Sequence, residues 1–160
     1  MSPTQRNNVY DLGLRTTWIL VAHRAGAKLF ESRGRGRSVE TVIEVDNPSG
    51  RLKVSEQVSD RPGRTFSSAG SERHAYSPDE GFLEHKTLGF ARELCALIEK
   101  GRVTNRFDDL VLVAGPDLLG KLRECLSRSA TEQLVATLPK DLPMLDERGL
   151  REHLEGVLRI

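Results

Sequence analysis

The chain has 160 residues and a net charge of +1, from 24 Lys and Arg against 23 Asp and Glu. No whole-molecule field therefore marks it for nucleic acid, a membrane or an acidic partner, and any electrostatic function must be local. The length suits one domain with a real core. Its two cysteines, Cys95 and Cys125, follow no metal or redox spacing, MSPTQRNNVYDLGLR lacks an apolar signal region, and TWILVA is too short to span a bilayer, so a soluble, cytoplasmic protein is expected.

Residues 1–15 are expected to form a flexible N-terminal arm, and residues 16–160 a single domain. From Thr16 to His23 the run TTWILVAH is β-branched and apolar, as a strand covered on both faces should be. Arg24-Ala25-Gly26 signals a turn, AKLFES reads as the hairpin partner, and SVETVIEVD alternates as a third strand. About 47–78 there is no sustained period, so a long loop is expected. Leu83, Thr87, Phe90, Ala91, Leu94, Leu97 and Ile98 then recur at helical spacing, predicting a helix from Asp79 to Lys100 with Gly101 as its stop.

DDLVLVAG reads as a buried strand, and Pro116 opens a helix with a stripe of Leu118, Leu119, Leu122, Cys125 and Leu126. Ser129 and Glu132 suggest a capping box for a short helix, after which VATLP returns as a strand. The last helix is capped by Asp146, with Leu145 and Leu150 spaced for a hydrophobic staple and Leu154, Val157 and Leu158 on its inner face. The order β-β-β-α-β-α-β-α predicts an α/β fold: a single-domain mixed β-sheet of about five strands with helices on its faces, of the ribonuclease-H-like kind.

Candidate chemistry is sparse. GPDLLGKL, Gly115 to Leu122, nearly matches a phosphate-binding loop, but Leu122 stands where a hydroxyl should meet magnesium, and Leu118 and Leu119 fit a helical stripe instead. His23, His74, His85 and His153 are scattered, so no metal site or cofactor is expected. His23 reads as a strand-end histidine satisfied by hydrogen bonds, and His85 as solvent-exposed. No G-x-S-x-G elbow occurs, and Cys95 and Cys125 read as small buried hydrophobes, so no catalytic residue is assigned. The arginines on glycine-bearing loops are more informative: Arg33, Arg35 and Arg37 form one set, and Arg61, Arg64, Arg73 with His74 form another. Arginine's planar fork suits phosphate or carboxylate, and glycine lets backbone N–H groups approach an anion.

Several segments in fixed order, TWILVAHRAGAKLF, SDRPGRTF with RHA, EHKTLGFARELCALIEKGR, DDLVLVAGPDLLGKLR and LPKDL, resemble the host attachment protein family over about Trp18 to Leu154. That family is similar to the central domain of eukaryotic and archaeal class I peptide-chain release factors, hence the name bacterial release-factor-like proteins. The resemblance implies a ribonuclease-H-like fold and puts the loop Asp60 to His74 where a release factor keeps its catalytic loop. It does not carry termination activity here, because no Gly-Gly-Gln occurs in the chain. A strand that often ends Ala-Asp-Arg in the family ends here in Ala22-His23-Arg24.

On this footing the expected partner is RNA or the ribosome. Arg61, Arg64, Arg73 and Lys140 would contact phosphate beside His74, Gly63 would give backbone access, and Asp60 would orient Arg61. The alternative is an accessory protein that affects attachment through protein contacts. A hydrolase built on Asp60, Arg61 and His74 lacks a nucleophile.

Overall fold

The computed structural model describes residues 10–11, 15–34, 38–51 and 78–159. Its strands are β1 (Tyr10–Asp11), β2 (Thr17–His23), β3 (Gly26–Ser32), β4 (Val39–Asp46), β5 (Asp109–Ala114), β6 (Leu134–Pro139) and β7 (Leu158–Arg159). The helices are α1 (Pro48–Arg51), α2 (Pro78–Val103), α3 (Pro116–Cys125), α4 (Arg128–Glu132) and α5 (Glu147–Leu154).

A five-stranded mixed sheet runs in the order β4-β3-β2-β5-β6, and β1 pairs separately with β7. β2, β3 and β4 form an antiparallel meander, with Thr17 opposite Ser32 and His23 opposite Gly26. β5 lies parallel to β2, with Thr17 beside Asp109, and β6 lies parallel to β5.

Alternation along the strands divides the core into two layers. Trp18, Leu20 and Ala22 of β2 join Leu110, Leu112 and Ala114 of β5 on the face covered by α2, α3 and α4, against Phe90, Leu94, Ile98, Leu119, Leu122 and Ala130. Ile19, Val21, Val111 and Val113 point to the other face, where Leu150 and Leu154 of α5 cover them. β2 and β5 have apolar neighbours on both faces, and this explains their continuous apolar runs. The edge strand β4 leaves Glu40, Thr41, Glu44 and Asp46 exposed, charges that discourage edge-to-edge pairing.

Several expected boundaries move. The element order is longer than β-β-β-α-β-α-β-α, because β1, α1 and β7 are added to it along with α4, the short helix expected before β6 but not counted in that order. α1 also falls inside the stretch expected to be loop. Gly101 does not stop α2, which continues to Val103. A Cβ on Gly101 would lie 2.2 Å from two atoms of the Trp18 ring, so this glycine makes room for the tryptophan. α4 starts from Ser127, whose hydroxyl accepts from the Ala130 N–H at 3.1 Å, and not from Ser129. Leu158 belongs to β7, beyond the end of α5. Asp146 caps α5 as expected, accepting from the Gly149 N–H at 2.8 Å, and Leu145 packs in the same cluster as Leu150.

Candidate functional site

The parallel strands β2, β5 and β6 all finish on one edge of the sheet, at His23, Ala114 and Pro139. Open α/β sheets place their ligands outside the carboxyl ends of such strands. Here that edge holds a cleft of about 290 Å³. Leu83, Phe90 and Leu118 give it apolar walls, and His23, Arg24, Lys86, Asp117 and Asp141 line it with polar groups.

Local chemistry fixes each side. His23 ends β2, and its Nδ1 accepts from the Ala25 N–H at 3.2 Å, so the neutral ring carries its proton on Nε2. The Asn47 backbone N–H donates to the Ala25 carbonyl at 2.9 Å, and its side-chain amide donates to the Arg24 carbonyl at 2.8 Å. These two bonds tie the β2–β3 turn to the start of α1. Gly50 of α1 is packed so closely that an added Cβ would overlap the Arg24 carbonyl oxygen, leaving no space for a side chain. Ser49 and Gly50 thus border the cleft from α1, and Leu83, Lys86 and Thr87 border it from α2.

The third side is the start of α3. Gly115 is its N-cap and Pro116 takes the first turn, where proline's missing N–H costs nothing. Asp117 lies at the positive end of the helix dipole and pairs with Lys121 at 2.6 Å. That hydrogen bond, more than any other influence, raises the Lys121 ammonium above its ordinary range. Asp141, just beyond β6, lies beside Gly115: a Cβ there would be 3.4 Å from the Asp141 Cβ. The Lys86 ammonium sits 5.4 Å from the centre of the Phe82 ring, a cation–π distance. Positive charge from Arg24 and Lys86 therefore meets negative charge from Asp117 and Asp141 at one edge. Among the described residues, no group of three or more His, Cys, Asp or Glu is placed to hold a metal ion.

Of the residues expected to form the site, Lys140 is described. It is exposed, directly follows β6 and shares the carboxyl edge with the cleft. Asp60, Arg61, Gly63, Arg64, Arg73 and His74 lie outside the described residues. Of the other arginine set, Arg33 lies at the opposite end of the sheet from Lys140: it follows β3 beside the start of β2, and its Nε donates to Glu31 at 3.0 Å. Arg35 and Arg37 lie outside the described residues. Leu118, Leu119 and Leu122 are buried in α3, which accounts for the failed phosphate-loop match.

Asn47, Lys86, Thr87, Asp117 and Asp141 did not stand out in the sequence. The signal available was positional: Asn47, Asp117 and Asp141 lie near a strand end or a helix start at one edge, and Lys86 and Thr87 lie in the first half of α2. Sequence reading identified those elements but not the pairing that gathers them.

An open mixed sheet with helices on both faces, and a ligand-sized cleft at its carboxyl edge, defines a layered α/β protein. Within that class, the chain belongs to the family described as "Protein required for attachment to host cells", whose family model matches residues 18–154. No curated protein matches the sequence. Among solved structures, one described as "Archaeal protein" is 12% identical with a TM-score of 0.47; the match covers 94% of this chain and 34% of that one, so this chain spans about a third of that protein's length.

Proposed function

We propose that this protein is an RNA- or ribosome-associated module that works in the cytoplasm and grips phosphate with its Arg/Gly-rich segment, without peptide-release activity. One observation carries the reading. The segment 52–77, which holds Asp60, Arg61, Gly63, Arg64, Arg73 and His74, follows α1 and precedes α2 in the chain, and both helices border the cleft. This supports the reading because a segment rich in arginine joins, in sequence, two helices that stand beside Arg24 and Lys86. A ribonuclease-H-like fold is part of the same proposal, supported by three antiparallel strands followed by two parallel ones in the order β4-β3-β2-β5-β6. The resemblance to release-factor central domains supports a ribosomal partner, and the missing Gly-Gly-Gln removes the group that would promote release.

The test is the salt dependence of binding to labelled ribosomal RNA, followed by anisotropy. Removing one phosphate-binding side chain should lower the slope of log K against log salt by about 1, so Arg61→Ala with Arg64→Ala should lower it by about 2. An unchanged slope with unchanged affinity would overturn the reading.

A second reading, protein contacts that affect attachment, has its own support. Phe82 and Met144 are large apolar side chains, 39% and 36% exposed. Phe82 is one turn before Lys86 on α2, and the Met144 methyl approaches Gly26 at the β2–β3 turn. Pull-down from lysate with Phe82→Ser and Met144→Ser as controls separates this reading from the first: loss of partners without loss of RNA binding favours it.

A further inference from the structure

We infer that Cys95 and Cys125 form a peroxide-responsive dithiol that closes to a disulfide joining α2 to α3. Neither residue takes part in the proposed phosphate-binding edge, and their placement carries the inference. The Cys95 thiol donates to the Leu122 carbonyl at 3.4 Å. On a helix, the carbonyl oxygen of one residue lies beside the side chain three positions on, and three positions beyond Leu122 is Cys125. The two sulfurs therefore meet across the helix pair, and Cys125 packs against the buried cluster that contains Cys95. Packed helices with axes about 8–10 Å apart bring facing Cα atoms within the range a disulfide spans.

The two thiols differ in access. Cys95 is 7% exposed, whereas Cys125 is partly exposed. Burial first, and the neighbouring Cys125 second, push the Cys95 thiol up to about 12, so Cys95 stays protonated while solvent reaches Cys125. This gives an order of events. The Cys125 thiolate attacks one oxygen of hydrogen peroxide; the O–O bond breaks, an S–O bond forms and hydroxide leaves to become water. Cys95 sulfur then attacks the Cys125 sulfenic acid; the S–O bond breaks, the S–S bond forms, and the departing hydroxyl takes the Cys95 proton as a second water. Two thiols and one peroxide become one disulfide and two waters.

The link would couple the walls of the cleft. α2 and α3 run side by side in the same direction, with Leu83 and Thr87 near Pro116 and Leu118 at the cleft and Cys95 against Leu122 further along. Oxidation would fix one helix against the other and close a loop between residues 95 and 125.

The full chain is treated with hydrogen peroxide under native conditions, alkylated, and digested with trypsin without reductant. The expected product is Glu93–Lys100 joined to Glu124–Arg128, lighter than the two free peptides by two hydrogens and separated by dithiothreitol. Cys125→Ser should leave Cys95 unmodified, and Cys95→Ser should let Cys125 proceed to sulfinic acid or to a dimer. The oxidised protein should melt roughly 5 °C higher than the reduced one. Sulfinic acid on Cys125 of the unsubstituted protein with Cys95 still free, or linkage solely between two chains, would overturn the inference. The peptide map of the unsubstituted protein decides the matter even if a variant fails to fold, and it is independent of RNA binding.

Discussion

The carboxylate of Glu99 accepts from Arg102 at 2.9 and 2.6 Å and from the Ser127 hydroxyl at 2.8 Å. The same Ser127 oxygen accepts the N–H that caps α4, so one acid on α2 organises the start of another helix. Arg102 first and Ser127 second hold the Glu99 carboxyl down at about 2, against an ordinary 4.5. A folded value below the unfolded one means that the ionised form stabilises the native state above pH 4.5, and that this contribution is lost as pH falls through about 2. Melting temperature should therefore fall across that window, and Glu99→Gln should lower the melting temperature at neutral pH and flatten its acid slope. An acid slope identical in the two proteins would show that Glu99 carries none of it. The same hydrogen bond also explains why Ser129 was the wrong cap to expect. The Ser-x-x-Glu spacing of Ser129 and Glu132 is a local pattern, whereas Ser127 is held by a residue 28 positions away, which no local pattern reports. Both Ser127 and Asp146 accept from an N–H three residues on, but Asp146 had no rival capping pattern beside it, whereas the choice of Ser127 over Ser129 goes with the distant bond to Glu99.

At the scale of elements, glycines in helices separate intrinsic preference from packing. Gly89 and Gly120 have nothing within 4 Å of an added Cβ, so Gly89→Ala should stabilise by about 0.5–1 kcal/mol through helix propensity alone. Gly101→Ala faces the Trp18 ring at 2.2 Å, and Trp18 has little room to retreat. It stacks on Phe107 with ring centres 4.7 Å apart, and its indole N–H donates to Glu31 at 3.1 Å. Overpacking should outweigh propensity, leaving a net loss of roughly 1–3 kcal/mol in urea denaturation. A gain in both proteins would mean that Trp18 moves freely. The apolar runs of β2 and β5 and the stripes of α2 and α3 were readable because burial on one or two faces writes its own period into the chain. The end of α2 was not, because glycine is equally suited to a C-terminus and to a close approach, and only the position of Trp18 decides between them.

At the scale of the molecule, sequence order revealed a meander followed by βα units, but not the sheet order that places β2 beside β5. Parallel pairing at long sequence separation leaves no local trace. That pairing brings His23, Asp117 and Asp141 to one edge, which is why the cleft was missed while its flanking elements were found. The arginine-bearing segment stands out in the sequence by its composition and by the family resemblance of SDRPGRTF. Its two attachment points, α1 and α2, pack at the same edge, and this has a topological consequence. Residues 52–77 connect two helices that pack against each other, so the polypeptide does not need them to travel from one part of the sheet to another. Loop-closure entropy changes by only about 0.6 kcal/mol per halving of length. Exchanging 52–77 for a short Gly-Ser connector should thus leave the melting temperature within a few degrees of the parent, while removing every charge the segment contributes. The sheet and its cleft would then be a socket, and the connecting segment a replaceable part whose specificity can be swapped without refolding the rest.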